Sequence, residues 1–315
     1  MSVVLECPAR IACGTWQFSH ARKLNQPFSE LKAMVELALE KGITWLDTAD
    51  KYGDGESEEL LGKCIDGRRN DEVFVITKVG LTANGRDGSP AHIRKSIDNS
   101  LMRLNREYVD GYLLHWPDPK VPIEDSWDAL REIKESGKAR FIGLSNVTVE
   151  EIDICHSAYP IDIVQLPYSL FCSRESRCVI RRCKELGIFV MAYGVLAHGL
   201  LTPKYANDED VSLPRDWRSG MRMFGSEFVR FREASRQLQT VAKEHGVSLP
   251  RAAIQWTLYN EAPVDCAVVG WRTSSHLLES IGSGKVGPEN IARLIKTMER
   301  VIEELPDGCY RTNFP

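Results

Sequence analysis

The chain has 315 residues, of which 43% are hydrophobic and 27% are charged, and its formal net charge is −4. This composition is typical of a globular protein with a hydrophobic core, and the small negative charge argues against a nucleic-acid partner. No apolar run is long enough to cross a membrane, and the N-terminus lacks the features of a signal peptide. Nine irregularly spaced cysteines without a Cys-x-x-Cys pair predict reduced thiols in a cytoplasmic protein rather than a disulfide framework.

Short apolar segments recur along the chain and predict strands that are buried on both faces. In chain order they span residues 11–15, 44–47, 74–78, 109–115, 141–145, 163–166, 189–193 and 267–270. Between them, apolar residues at helical spacing predict amphipathic helices, as at residues 31–38, 93–104 and 123–133. This alternation favours a parallel sheet with helices outside it.

A chain of this length with eight such units predicts one (β/α)₈ TIM barrel domain that spans residues 1–315. A doubly wound open sheet is the alternative, but no Gly-x-Gly-x-x-Gly motif follows the first strand. Residues 202–227, which follow the seventh strand, are rich in Pro, Gly, Asp and Arg and predict a long loop. This loop is expected to act as a lid, and a solvated insertion without that role is the alternative. Residues 305–315 lack periodicity and predict a C-terminal loop over one barrel mouth.

Polar residues end several of the predicted strands. Asp47, Lys78 and His115 end the second, third and fourth strands, and Tyr52 follows Asp47 in a Gly-rich turn. Further along the chain, Ser145, Asn146, Gln165 and Tyr193 lie in or directly after the next three strands. Because the carboxyl ends of barrel strands meet at one mouth, where active sites lie, these side chains are expected to come together. Singly, each has a structural explanation, such as an exposed lysine, a core histidine or a helix-capping aspartate.

The combination predicts a site that delivers a proton to a carbonyl. Tyr52 is the proton donor, Lys78 lowers the pKa of its phenol, and Asp47 pairs with Lys78. His115 orients the carbonyl oxygen or shares the proton. Hydride from a nicotinamide would complete the reduction. The sequence offers no metal-binding histidine triad, so no metal is expected, and it contains no Gly-x-Ser-x-Gly motif.

Six segments resemble the aldo-keto reductase family, in matching order and spacing. They are GTWQFS (14–19), WLDTADKYGDGESEELLG (45–62), VITKVG (75–80), YVDGYLLHWPD (108–118), GKARFIGLSN (137–146) and VMAYGVLAHGLLT (190–202). The resemblance implies a (β/α)₈ barrel, nicotinamide-dependent carbonyl reduction, and a catalytic tetrad of Asp47, Tyr52, Lys78 and His115.

The resemblance also implies binding roles for residues around this tetrad. Ser145, Asn146 and Gln165 would bind the nicotinamide carboxamide, and Tyr193 would stack on its ring. Trp16 would face both the cofactor channel and the substrate. The other residues implied are Thr15 for the channel, Gly194 and Leu196 for the pyrophosphate, and Lys51 and Trp116 for the substrate. Two segments depart from the family pattern, with Gly-Val-Leu at 194–196 and Glu-Ser at 279–280.

The segment after the last strand suggests the choice of cofactor. Thr273 can cap a helix whose free N–H groups favour an anion, and Arg272 can bind a phosphate. NADP(H) is therefore favoured and NAD(H) possible; a surface helix that these residues merely cap is the alternative. Gly270, His276 and Glu279 complete the predicted adenosine-phosphate site.

The expected function is NADP(H)-dependent reduction of aldehydes or ketones to alcohols, with a small-molecule carbonyl substrate. A monomer or weak oligomer is expected, with no nucleic acid or membrane partner. Two alternatives use the same scaffold. One is an NAD-linked sugar or vitamin alcohol dehydrogenase, and the other is a non-metabolic barrel subunit that senses the cofactor.

Overall fold

A computed structural model describes residues 5–21, 25–207, 217–282 and 287–308. Eight parallel strands form a closed barrel. They are β1 (Ile11–Gly14), β2 (Trp45–Asp47), β3 (Phe74–Val79), β6 (Val109–Leu114), β7 (Ala139–Ser145), β8 (Ile163–Pro167), β9 (Phe189–Tyr193) and β10 (Cys266–Gly270). The remaining two strands, β4 (Leu81–Thr82) and β5 (Gly85–Arg86), form a small antiparallel hairpin after β3.

Each barrel strand pairs with the next barrel strand along the chain, and β10 closes on β1. In the register of this closure, Gly14 at the end of β1 lies beside both Gly270 and Asp47. The (β/α)₈ barrel predicted from the sequence is confirmed, and the open sheet is excluded. The predicted strand limits agree with the observed ones to within two residues, because strands buried on both faces are continuous apolar runs.

Helices lie outside the barrel. They are α1 (Phe28–Glu40), α2 (Glu56–Cys64), α3 (Pro90–Leu104), α4 (Ile123–Glu135), α5 (Val149–Ala158), α6 (Arg174–Glu185), α7 (Pro203–Asn207), α8 (Phe228–Glu244), α9 (Leu249–Tyr259), α10 (Ser274–Ile281) and α11 (Pro288–Ile302). The apolar stripes predicted for α1, α3 and α4 are the buried faces of those helices. Their burial against the strands forms the larger part of the hydrophobic core.

The barrel interior is filled by side chains. A second cluster, to which all eight barrel strands contribute, contains Trp45, Ile76, Leu113 and Met191. The ring of Trp45 stacks on that of Phe74 at a centroid distance of 3.8 Å. Because the interior is packed rather than open, polar chemistry is confined to the ends of the strands.

The segment after β9 is more ordered than the predicted loop. It contains α7 and two 3₁₀ turns, Trp217–Gly220 and Arg222–Phe224. Met221, Met223 and Phe224 are buried in the large hydrophobic cluster. These apolar side chains anchor the second part of the long segment that follows the seventh barrel strand. Residues 208–216 of the predicted lid lie outside the described residues.

The predicted C-terminal loop is described only up to Gly308, whose N–H donates to the Phe171 carbonyl at 2.7 Å. Residues 309–315 lie outside the described part of the chain. Among the cysteines of the described residues, seven are free thiols, but Cys172 takes part in a disulfide. The expectation of reduced thiols is therefore wrong at Cys172, because pairing depends on distances in space that the spacing along the chain does not show. No helix among the described residues is long and apolar enough to cross a membrane.

Candidate active site

Asp47 and Lys78 form a buried ion pair at the carboxyl ends of β2 and β3. Lys78 Nζ donates to Asp47 Oδ1 and to the carbonyl of Thr48, both at 2.8 Å. The side chains of Lys78 and Asp47 are 0% and 4% exposed. Asp47 Oδ2 accepts a hydrogen bond from Gln165 Nε2 at 2.8 Å. Each charge thus has the partners that burial requires, and the pair predicted from the sequence is present.

Tyr52 lies above this pair in a tight turn. Gly53, Asp54 and Gly55 have φ values of 63°, 53° and 100°, a left-handed path that glycine and aspartate tolerate. A Cβ on Gly53 would also lie 2.9 Å from Cβ of Ser19. The turn places the Tyr52 ring centre 5.2 Å from Lys78 Nζ and 5.6 Å, edge to face, from the His115 ring. The four residues of the predicted tetrad are therefore one cluster.

The pKa of Tyr52 moves in the opposite direction from the sequence-based expectation. Burial, followed by the carboxylates of Asp47 and Asp50, raises the pKa of the phenol well above its usual value. The expected lowering of this pKa is not found because desolvation of the phenol is the largest effect and the two carboxyl groups act in the same direction. Tyr52 consequently keeps its proton at neutral pH, which is the state that a proton donor needs.

His115 is neutral in this environment. Burial and the nearby charge of Lys78 hold the pKa of its imidazole well below the usual value. Its Nδ1 atom is buried and has no hydrogen-bond partner among the described residues. A neutral imidazole beside a protonated phenol can orient a carbonyl oxygen without competing for the role of proton donor.

Four polar residues form a second hydrogen-bonded group next to the tetrad. Tyr193 OH donates to Asn146 Oδ1 at 2.6 Å, and Asn146 Nδ2 lies 2.9 Å from both the His115 carbonyl and Ser145 Oγ. The backbone N–H of Asn146 donates to the Gln165 carbonyl at 3.1 Å. Asn146 has a φ of 59°, which asparagine tolerates. The predicted carboxamide-binding residues are thus fixed by one another and, through Gln165 and Asp47, by the tetrad.

A cavity of about 740 Å³ opens over both groups. Its lining contains most of the predicted site residues, namely Trp16, Asp47, Lys51, Tyr52, His115, Trp116, Ser145, Asn146, Gln165, Tyr193, Gly194, Leu196, Gly270, Arg272, His276 and Glu279. The volume lies within the range of ligand-binding clefts. One cavity therefore joins the tetrad to the segment after β10.

Three predicted site residues do not line the cavity. Lys78 is fully buried behind Asp47. Thr15 is also fully buried, and its hydroxyl lies 3.0 Å from the Asp47 carbonyl and 2.8 Å from Ser57 Oγ. Thr273 Oγ1 accepts from the His276 N–H at 3.3 Å and caps α10. The assignments of Thr15 to the channel and Thr273 to the phosphate are not supported, because their hydroxyls have partners within the protein.

Several lining residues were not predicted from the sequence, including Gln17, His20 and Trp271. Lys204 and Arg218, which belong to the predicted lid, also line the cavity. Trp271 is 1% exposed, and its indole Nε1–H has no hydrogen-bond partner among the described residues. Gln17 Oε1 is also buried and without a partner there. Their sequence signal was weak, because neighbouring residues such as Trp16 and Arg272 carried the pattern in each segment.

The cavity fits an extended dinucleotide. A hydrogen-bonded amide group lies beside the tetrad, the cations Lys204, Arg218 and Arg272 line the cavity in addition to Lys51, and Trp271 supplies an unused donor. Amides suit a carboxamide, and cations suit phosphates. No group of three or more His, Cys, Asp and Glu residues in the described part of the chain could hold a metal ion.

Comparisons with known proteins agree with this geometry. The profile of the Aldo/keto reductase family matches residues 10–297. The chain is similar to aldo-keto reductase YhdN of Bacillus subtilis (strain 168), with 33% identity over 90% of this chain and 94% of the relative. It is also similar to aldo-keto reductase str7 of Strobilurus tenacellus, with 31% identity over 87% and 82% of the two chains. Among solved structures, the glycerol dehydrogenase AKR11B4 from Gluconobacter oxydans superposes with a TM-score of 0.80, at 27% identity over 97% and 95% of the two chains.

The chain belongs to the aldo/keto reductase family. It is therefore an oxidoreductase of that family, whose members generally use nicotinamide cofactors.

Proposed function

We propose that this protein reduces aldehydes or ketones to alcohols, with NADP(H) as cofactor and Tyr52 as general acid. The observation that carries the proposal is the arrangement of the buried Lys78–Asp47 pair, the protonated phenol of Tyr52 and the neutral imidazole of His115 at one wall of the cavity. Nothing in this arrangement resembles a nucleophilic or metal site, and all of it suits proton delivery.

The proposed chemistry divides between cofactor and protein. A bound nicotinamide supplies the hydride. Tyr52 donates its proton to the carbonyl oxygen as negative charge develops there, and His115 orients that oxygen. Lys78 keeps a positive charge 5.2 Å from the Tyr52 ring centre, which stabilises the phenolate left after proton transfer. Asp47 holds Lys78 in place.

The nicotinamide end of the cofactor is assigned to the amide group. Ser145, Asn146 and Gln165 would supply donors and acceptors for a carboxamide, and Tyr193, which is hydrogen-bonded to Asn146, would cover the ring. The preference for NADP(H) rests on Arg272, a cation that lines the cavity beside the N-terminus of α10. An NAD-specific site more commonly places an Asp or Glu near the ribose.

One observation favours a second candidate, an alcohol dehydrogenase that works in the oxidative direction. The similar structure with a TM-score of 0.80 is a glycerol dehydrogenase. The same residues serve both directions, because a group that donates a proton in one direction accepts it in the other.

Steady-state spectrophotometry separates the candidates. Purified protein is given a panel of aldehydes and ketones with NADPH or NADH, and a panel of polyols and sugars with NADP⁺ or NAD⁺. The proposal predicts loss of NADPH absorbance with carbonyl compounds at the higher kcat/KM. Faster reduction of NAD⁺ by the alcohols supports the dehydrogenase. Inactivity in both panels, with tight cofactor binding, supports a sensing subunit instead.

A further inference from the structure

A lysine lines the cavity immediately beside the proposed proton donor. Lys51 precedes Tyr52 in the turn after β2, and its side chain is 30% exposed. Its partner is Asp54, whose Oδ1 lies 2.6 Å from Lys51 Nζ and whose side chain is 78% exposed. The cation therefore lies at the cavity wall, while its counter-ion is largely in solvent.

This ion pair can be exchanged at little cost. A pair with one partner in solvent contributes little to stability, because water screens it. Lys51 can leave Asp54 for a ligand anion within the cavity, where screening is weaker. The turn is closely packed, since a Cβ on Gly53 would lie 2.9 Å from Cβ of Ser19 and one on Gly55 would lie 2.7 Å from Cδ of Arg103. The lysine is thus presented from a fixed backbone position.

The charges around Lys51 favour an anion rather than a second cation. Among the described residues that line the cavity, the carboxylates are Asp47 and Glu279. Asp47 is neutralised by Lys78 and bonded to Gln165. Glu279 belongs to α10, which follows β10. The ion-pair partner of Lys51 is instead Asp54.

Two tryptophans in the same lining indicate the body of the ligand. Trp16 and Trp116 both line the cavity, and the Arg86 guanidinium lies 4.9 Å from the centre of the Trp116 ring. Indole rings bind flat apolar groups, and a cation over one face holds the ring in place.

We infer that Lys51 selects carbonyl substrates that carry an anionic group, such as a carboxylate, on a flat or apolar body. This inference rests on the proposed function, because it names the substrate class of the same cavity. Lys51 acts as a specificity residue: it attracts the charged end of the molecule while the carbonyl reaches Tyr52.

The test compares 4-carboxybenzaldehyde with its methyl ester as substrates. The ratio of kcat/KM for the acid to that for the ester is measured in wild type, Lys51→Met, Asp54→Asn and Lys95→Met. The acid-to-ester ratio is compared between variants, so the different intrinsic reactivities of the two aldehydes cancel. Lys95 is exposed on α3, so its replacement makes the same change in net charge at a distance. Asn at position 54 tolerates the φ of 53°.

The inference predicts that Lys51→Met lowers the acid-to-ester ratio by about three- to tenfold, as expected for one partly screened ion pair. Asp54→Asn raises it, because Lys51 loses its competing partner, and Lys95→Met leaves it unchanged. A third aldehyde, 4-formylphenyl phosphate, shows whether a carboxylate or a phosphate is preferred. The substrate whose kcat/KM falls more in Lys51→Met carries the preferred anion. An unchanged ratio in Lys51→Met, with both aldehydes still reduced, overturns the inference and leaves the proposed function intact.

A binding measurement covers the case in which neither aldehyde is reduced by wild type, which counts against the proposed function. Calorimetric titration of 4-carboxybenzyl alcohol and its methyl ester into wild type and Lys51→Met gives the same ratio without turnover. A preference for the acid that disappears in Lys51→Met supports the inference. Equal preference in the two proteins overturns it.

Discussion

Lys78 Nζ and Asp47 Oδ1 are 2.8 Å apart, and neither side chain is more than 4% exposed. The two residues end neighbouring strands of the barrel, so the backbone sets their distance. A buried pair of this kind contributes modestly while both partners are present, but removal of one partner leaves an uncompensated charge.

We therefore expect Lys78→Met to lose activity and about 3–5 kcal/mol of stability, measured by urea unfolding. The matched control is Lys138→Met, which breaks an exposed pair with Asp98 whose side chains are 40% and 60% exposed. This control should change stability by no more than about 0.5 kcal/mol. Equal effects of the two substitutions would show that the Lys78 pair is not desolvated.

The barrel and this pair could be predicted from sequence for the same reason. Strands buried on both faces are continuous apolar runs, and a charge such as Asp47 or Lys78 that ends such a run stands out. The hydrogen-bond partners of hydroxyl groups were harder to predict. Thr15 was expected in the channel, but its side chain faces Ser57 and the Asp47 carbonyl, contacts that depend on how α2 packs.

Other features could not be predicted from the sequence because they depend on the three-dimensional surroundings of each residue. The pKa of Tyr52 was expected to fall, but the desolvation that raises it follows from the packing of several elements. Met221 and Phe224 were placed in a loop because the surrounding sequence is rich in Gly and Arg, yet they are buried. A few apolar residues without periodicity give no pattern from which burial can be predicted.

A carboxyl group next to the tetrad should make stability depend on pH. Burial, and then the nearby Glu58 carboxylate, raise the pKa of Asp50 to about 8, although Arg103 and Lys51 oppose the shift. The residue is half-buried overall, but its Oδ1 has no hydrogen-bond partner in the described structure. Between its unfolded pKa of about 3.9 and its folded pKa, the folded state binds more protons than the unfolded state. Stability is therefore present at low pH and is lost as pH rises towards 8.

Replacement of Asp50 by asparagine removes the titratable carboxyl group. We expect the stability of Asp50→Asn relative to wild type to increase by at least about 1 kcal/mol between pH 5 and pH 8. Denaturant unfolding at the two pH values measures the difference. Asp66→Asn, at an exposed position after α2, is the control. Its free energy of unfolding should differ from that of wild type by the same amount at both pH values. A pH-independent offset for Asp50→Asn would contradict the raised pKa.

The preference for NADP(H) depends on Arg272. In Arg272→Ala the affinity for NADPH should fall about tenfold while that for NADH changes little, because only NADPH carries the 2′-phosphate. Fluorescence titration of both cofactors measures the two constants. Arg293→Ala, on the exposed side of α11, is the matched control. If NADPH and NADH weaken equally in Arg272→Ala, the phosphate role is wrong and the NAD-linked dehydrogenase becomes the better candidate.

The segment after β9 is predicted to close over the cofactor. Lys204 and Arg218 belong to it and line the cavity, and Arg218 Nη1 donates to the His198 carbonyl at 3.3 Å. Cations at this place can bind the pyrophosphate, so amide hydrogen exchange in residues 202–207 and 217–227 should slow when NADP⁺ binds. Helix α3 serves as the internal reference. Unchanged protection in the segment at saturating cofactor would rule out a lid.

The central claim is that Tyr52 donates the proton. Tyr52→Phe keeps the ring and its contact with His115 but removes the hydroxyl group. The most direct test is the rate of carbonyl reduction by Tyr52→Phe, at saturating NADPH, on the best substrate of the wild-type protein. We predict a fall in kcat of at least about 10²-fold with NADPH affinity retained, which is the low end for loss of a general acid. Turnover close to wild type in Tyr52→Phe would contradict the account.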